Sequence, residues 1–582
     1  MSRSEPTEAR DRSRTLHPLA LVLLGLIVVV PMAVLVVHAL GLHYHASSDL
    51  ALIELRVRDI GTAHSPLVGP YSRFNWNHPG PLLFATLALP YRAFGADGPA
   101  LLGASALVNG LFLVGATLLL WRRGGVAGAA LGLVVLMALT RALGGEVLQS
   151  AWNPYMIVMP SLVLVLVLWC IACGDAFLLP VAVGVASWVV QTHLGTAPLA
   201  AVAIVVATAV IGVAATRGRV LRPVRLALVA IAVGVVMWIP PIIDATHAHG
   251  GNLGALWRYW SASHPDVTGW SRAARIVGAQ LAIPAPWMAG PEQLNPFGGG
   301  GLDPSWRVPW TLLLLGVAVV VARRRRDQPA WSLGLVALGL AVVAWVATAQ
   351  VVGEPYPYVV LWTWLVGAVA WLAIGWTCMG VLRSAGTAPA IRRIGFVVCA
   401  LSAMVLATAA TADTIGAPLV SDAGQLVGGV QAATVAAARR LPSPILVESA
   451  PSFDSGSVTT GILLALDHAG LRAGRTRQYE WQVGAGHVVT RAQARSRVVV
   501  AVNKEIERYD HDAHYEVIAA YDQLSRRDRA FAERTRAAIP TTGGLAAVQR
   551  WTGRHPRLWK RFTGLEKRGD RAVVYRFRDV AR

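Results

Sequence analysis

Five side chains able to do chemistry fall close together behind the first long apolar run. Asp49, Glu54 and Asp59 lie within YHASSDLALIELRVRDIG (44–61); Arg73 follows, and His78 stands in FNWNHPGPLLF (74–84). Charge beside a bilayer is expensive to maintain, so an acid-rich loop at the end of a membrane span marks a candidate functional site. A carboxylate there can take a proton from an attacking group, provided it is not already neutralised. Leu50, Ile53, Val57 and Ile60 recur at helical spacing, which predicts a short helix lying in the interface plane with its apolar stripe down. Glu54 and Arg58 are four residues apart, a spacing that pairs them on one helix face and removes Glu54 from the shortlist. Asp49 has no Arg or Lys three or four residues away and sits where the first span ends, so it is the candidate base.

The elements that must position this loop are membrane helices. Of 582 residues 55% are hydrophobic and 14% charged, the mean hydropathy is +0.51, and many apolar runs of about 17–25 residues are long enough to cross hydrocarbon. The formal charge of +20 could suggest nucleic acid. Its distribution excludes that partner, because much of the excess lies in short loops between spans, where Lys and Arg set orientation. Arg far outnumbers Lys, which with the richness in Ala, Val and Gly looks like a high-GC bacterial proteome. Cys170 and Cys173 form a CxxC inside LVLVLVLWCIACG, with no second pair and no nearby His, and read as small packing residues.

Residues 1–16 read as a polar, disordered-looking cytoplasmic tail, and the apolar run from about 17 to 41 as an anchor in place of a cleaved signal. The stretch 80–95 is short and punctuated by proline, so it reads as a re-entrant or interfacial segment. Spans are then expected near 98–121, 125–140, 155–173, 176–192, 196–215, 226–243, 308–322, 330–350, 358–380 and 392–412, which with the first makes about eleven. On that count Arg217/Arg219/Arg222/Arg225, Arg323 to Arg326 and Arg383/Arg392/Arg393 all fall on the cytoplasmic side. Had 80–95 crossed, the later clusters would lie outside, against the positive-inside rule.

Residues 17–412 are therefore read as a transmembrane domain in a plasma membrane, with an external loop at 42–97. The external loops collect Glu146, Trp152, Asn153, Gln191, His193, Asp244, Arg258, His264, Asp266, Glu354, Tyr356 and Tyr358, whereas the inner loops are short and plain. Gly298 to Gly301 form a glycine run without the Lys-Ser/Thr of a phosphate loop. Trp257, Tyr259 and Trp260 read as an interfacial aromatic belt. Residues 413–582 read as a small extracytoplasmic α/β domain, with strands at 444–449, 495–503 and 571–580 and helices at 456–471 and 511–538. Its Arg excess suits either a solvated cap or attraction to anionic lipid heads.

This layout resembles the GT-C membrane glycosyltransferases, in the style of the protein O-mannosyltransferases, aminoarabinose transferases and galacturonosyltransferases. The matching strings are SSDLALIELRVRDIG, then NHPGPLLF with Tyr91-Arg92-Ala93-Phe94-Gly95, and RRGGVAGAALG after the second span. By pattern they cover roughly the first 200 residues. The resemblance implies an inverting transfer from a polyprenyl-phosphate sugar to an external glycan, lipid or protein acceptor in the cell envelope. Asp49 would be the base, with Arg73, His78 and Arg258 on the donor phosphate. Asp59, Glu146, His193 and Glu354 are further substrate or second-acid positions. Relatives often carry an acid before the span that begins here at WNPYM, where this chain has Asn153. A divalent cation wants hard, charged oxygen ligands, so either Glu146 supplies the second acid or no metal is needed; no metal site is assigned. A flippase for a lipid-linked saccharide remains an alternative, although no internal repeat of the transporter kind is visible. A non-catalytic assembly protein is another. Substitution of Asp49 separates the three.

Overall fold

The computed structural model describes residues 7–288, 301–385, 388–416, 421–540, 542, 544–566 and 569–578. Gly298 to Gly300 of the glycine run lie outside these. The chain divides into two compact units, Met1–Leu42 with Pro66–Pro418, and His43–Ser65 with Leu419–Arg582. The boundary expected at 413 thus falls a few residues later. More consequentially, residues 43–65 belong with the tail and not with the membrane helices.

Among the described residues of the first unit eight helices are long and apolar enough to cross a membrane: Leu19–Leu40, Gly98–Gln149, Asn153–Ala172, Leu194–Thr216, Pro223–Ala245, Gln328–Ala349, Pro357–Ser384 and Pro389–Gly416. The chain is a multi-pass membrane protein. The difference from eleven has local causes. Gly98–Gln149 is two helices joined at Gly125, whose φ of 62° turns the chain. A Cβ on Gly132 would run into the Leu120 side chain, as expected where the second helix folds back on the first. Two further expected spans are shorter helices, Ala176–Thr192 and Trp310–Arg324. Residues 80–95 give only the 12-residue helix Leu82–Ala93, about 18 Å at 1.5 Å per residue, too short for a hydrocarbon core of about 30 Å. The N-terminal region is helical from Thr7, well before the apolar run.

The second unit is built on a five-stranded sheet: β1 (Ile445–Ser449), β2 (Ala473–Gly474), β3 (Ser496–Val502), β4 (Tyr515–Asp522) and β5 (Arg571–Phe577). Their order is β2-β1-β3-β5-β4, with β1 parallel to β2 and β3, and β5 antiparallel to β3 and β4. The central strand β3 is buried along nearly all its length, which explains its unbroken Val run. The helix expected over 511–538 is wrong in its first half. YEVIAAYD pairs with β5 as β4, and a helix begins only at Arg526, where Ser525 Oγ accepts the Asp528 N–H at 3.1 Å.

The loop helix Ser48–Asp59 is also not the interfacial helix expected. Within this unit it packs on helix Phe453–His468, and Ala51, Leu52, Ile53, Glu54, Leu55, Val57 and Asp59 are all buried. A helix covered on most of its circumference is a core element, not a surface float. Thr460 Oγ1 donates to the Ser48 carbonyl at 3.3 Å, and Gly461 lets the Ala46 carbonyl approach where any Cβ would collide.

Candidate functional site

The loop helix is held largely by polar contacts with residues distant in sequence. Glu54, 0% exposed, accepts from His468 Nε2 at 2.9 Å, and Arg58 bonds Asp467 at 2.6 Å. The expected Glu54–Arg58 pair is therefore replaced by two partners about 410 residues away. Asp59 is bridged by Arg56 at 3.0 Å and by His487 at 3.2 Å. Asp59 is thus a structural anchor, not a free acid. Asp49 stands half-buried in the first helical turn, where a negative charge is favoured by the exposed N–H groups of the helix end.

Arg73 and His78 belong to the membrane unit and sit on one small ribbon. The Gly69 N–H donates to the His78 carbonyl and the His78 N–H to the Pro70 carbonyl, both at 2.8 Å. Tyr71 bridges Asn77, and Asn75 takes a φ of 61° at the turn. Two reciprocal bonds, at 2.8 and 2.7 Å, tie the Asn77 backbone to the Asn252 side chain. Gly80 is required where the ribbon ends, because a Cβ there would strike the Gln191 amide and Pro241.

Arg73 at the turn donates to the Val352 carbonyl at 2.9 Å, and its guanidinium lies 4.9 Å from the Phe74 ring centre and 5.5 Å from that of Tyr356. A guanidinium held between aromatic faces keeps several N–H groups available in a fixed orientation. From there the aromatic contacts run two ways. Tyr356 stacks on Tyr358, which meets Trp152, which meets Tyr155. Phe74 meets Trp76 and Tyr259, Trp76 meets His78, and His78 lies 4.8 Å from His193. The supposed belt is therefore divided. Trp257 and Trp260 are 76% and 60% exposed, while Tyr259 turns inward onto the ribbon.

Along this arc lie buried polar atoms with no protein partner: Trp76 Nε1, the hydroxyls of Tyr155, Thr192 and Tyr259, and Gln191 Oε1. Buried polar atoms are nearly always hydrogen-bonded, so each of these atoms is left with unused hydrogen-bonding capacity. His78 Nδ1 accepts the Leu194 N–H at 3.0 Å and His193 Nδ1 that of Gly195 at 3.2 Å. Each ring must then carry its proton on Nε2. Burial, and secondarily the neighbouring His193, push the His78 pKa well below the ordinary 6.5; burial lowers that of His193 to about 4. Both rings are neutral donors at physiological pH.

A stability prediction follows. Between pH 6.5 and 4 the unfolded chain takes up protons on these rings that the folded unit refuses, so folding loses free energy as the pH falls. Thermal unfolding of the protein in detergent should be insensitive to these rings above pH 6.5 and weaken towards pH 4. Replacing both with Gln should flatten that slope; an unchanged slope would show that the rings are not held neutral.

The other expected residues do not join the arc as free groups. Arg258 is exposed and bonds the His249 carbonyl at 3.0 Å. Glu354 pairs with Arg272 at 2.8 Å. Glu146 is exposed in the last turn of its helix. Asn153 is buried and donates to the Thr192 carbonyl at 3.2 Å, a structural tie beside His193. Among the described residues no three His, Cys, Asp or Glu side chains converge as metal ligands. Sequence reasoning passed over Tyr155, which falls at the start of an expected span; Tyr356 and Tyr358 lie in an expected external loop, where aromatic clustering is the signal that marks them.

Membrane-length helices, the short Arg73–His78 ribbon and a sheet-bearing tail were then compared with known proteins. No family model and no curated protein matches the chain. The structure of ArnT from Cupriavidus metallidurans bound to undecaprenyl phosphate matches with a TM-score of 0.53 at 14% identity, over 85% of this chain and 95% of that one. Its apo state matches with a TM-score of 0.50 at 15% identity over the same shares. The chain shares the overall fold of these ArnT structures.

Proposed function

We propose that this chain is a membrane glycosyltransferase that moves a sugar from a polyprenyl-phosphate donor to an extracytoplasmic cell-envelope acceptor with inversion. The observation that carries the reading is the Arg73–His78 ribbon, in which a stacked guanidinium and neutral imidazole N–H groups accompany buried polar atoms that lack protein partners. That chemistry suits a phosphate monoanion or diester attached to a sugar. The bound undecaprenyl phosphate of the similar ArnT structure supports a lipid carrier of the same kind.

In this reading Asp49 takes the proton of the acceptor hydroxyl as its oxygen attacks the anomeric carbon. The bond from that carbon to the phosphate oxygen breaks, and the lipid phosphate leaves with its charge met by Arg73 and the Nε2–H groups of His78 and His193. A cation is not needed, so transfer should persist in EDTA. The test is incubation of purified protein with polyprenyl-phosphate sugars and envelope acceptors, read as release of free polyprenyl phosphate. No release with any donor contradicts the reading; release abolished by EDTA and restored by magnesium contradicts its metal-free form.

The orientation proposed is N-terminus cytoplasmic and tail external, supported by the distribution of the Arg clusters. Reporter fusions after Arg324 and at the C-terminus should give opposite signals. Matching signals would overturn it.

A further inference from the structure

A membrane-buried groove of about 1000 Å³ runs between helices Val158–Ala172, Ala197–Thr216 and Gln328–Ala349. Small side chains make it. Ala172, Ala203, Ala209 and Gly339 stand where larger residues would close the gap. The valines at 202, 206 and 213 line it at helical spacing and remain exposed. From Leu199 to Arg217 the lining covers most of a 20-residue helix, about 30 Å, the thickness of a hydrocarbon core.

Only one mouth is polar. Arg217, Arg219, Gln328 and Trp331 line it, and the Arg323 guanidinium lies 5.5 Å from the Trp331 ring centre, adding a third cation. The nearby Arg122 and Arg123 add little, because both are paired with Asp175. Arg217 and Arg219 are exposed and form no ion pair with a described residue. The groove is therefore apolar along its length and cationic at one end, the complement of a lipid with an anionic head.

We propose that this groove binds an anionic glycerophospholipid, with acyl chains along the valines and Ala203 and the phosphate at Arg217 and Arg219. Basic pockets between transmembrane helices take such headgroups. The polar mouth lies at the far end of helix Ala197–Thr216 from His193, so a head bound there is about 30 Å from the donor arc. The site is separate from the carrier-lipid reading and does not rest on it.

The test uses the full chain reconstituted with equal phosphatidylglycerol and phosphatidylcholine, mildly delipidated, and analysed for retained lipid by native mass spectrometry. Wild type should retain phosphatidylglycerol preferentially. The double variant Arg217→Ala/Arg219→Ala should lose that preference by about 30-fold, at roughly a fivefold loss for each Arg near a headgroup. Gly339→Leu, where an added Cβ meets nothing within 4 Å, should fill the groove and reduce retention of both lipids without unfolding the helix. Equal retention of the two lipids by wild type, or unchanged preference in the double variant, overturns the proposal. So does displacement of phosphatidylglycerol by added polyprenyl phosphate at equal concentration, which would make the groove a carrier site.

Discussion

Asp49→Asn is expected to lower sugar transfer by about 10²–10⁴-fold, the range general-base help supplies, while the protein still folds and inserts. Asn keeps the shape of the side chain and can still accept a hydrogen bond at the helix start, but cannot take a proton. Glu54–His468, Arg58–Asp467 and Asp59–His487 hold the helix in the tail unit. Those carboxylates should behave differently. Glu54→Gln and Asp59→Asn should act on the thermal stability of that unit, since weakening a buried hydrogen bond to a carboxylate costs about 1–3 kcal/mol. Near-normal transfer by Asp49→Asn, with loss of transfer but unchanged stability in Asp59→Asn, would move the base to Asp59.

The second large effect is expected at Arg73. Arg73→Ala should raise the donor KM by about 10- to 150-fold, the equivalent of roughly 1.5–3 kcal/mol for a hydrogen bond to a charged group, with a smaller change in kcat. Arg73→Lys should recover little of this. The planar fork stacks on Phe74 and Tyr356 while bonding Val352, and an ammonium reproduces neither the stack nor a bidentate clamp. Donor KM measured for the three proteins decides the matter. Full recovery by Lys would reduce Arg73 to a point charge, and an unchanged KM in Arg73→Ala would remove it from the donor site.

Much of the framework was legible because the bilayer enforces simple rules. Apolar length located most of the spans, and proline punctuation kept Leu82–Ala93 out of them. β-branched runs marked β1, β3 and β5. The failures have equally physical causes. Glu54 and Arg58 satisfied a local helical spacing, yet their partners lie in His468 and Asp467, and tertiary burial outweighed the weak pairing of a solvated face. The same blindness made the loop helix an interfacial one, since an apolar stripe does not say whether lipid or protein covers it. β4 was hidden by charge, because YEVIAAYD alternates only mildly before a charged helix. The separate spans expected at 98–121 and 125–140 meet at Gly125, whose positive φ breaks the helix there. At the site, Arg73 and His78 could be singled out by type. The neutrality of His78 could not, because it depends on the Leu194 N–H and on burial against His193.

The central claim is that this chain consumes a lipid-linked sugar, and the most direct test is the lipid inventory of cells lacking it. Mass spectrometry of extracted lipids should show a polyprenyl-phosphate-linked sugar accumulating in the deletion strain. Wild-type chain should restore the normal level, and Asp49→Asn, expressed and inserted equally, should not. An unchanged lipid-linked pool in the deletion strain would contradict the account, as would full restoration by Asp49→Asn, which would favour a transporter or an assembly protein over an enzyme.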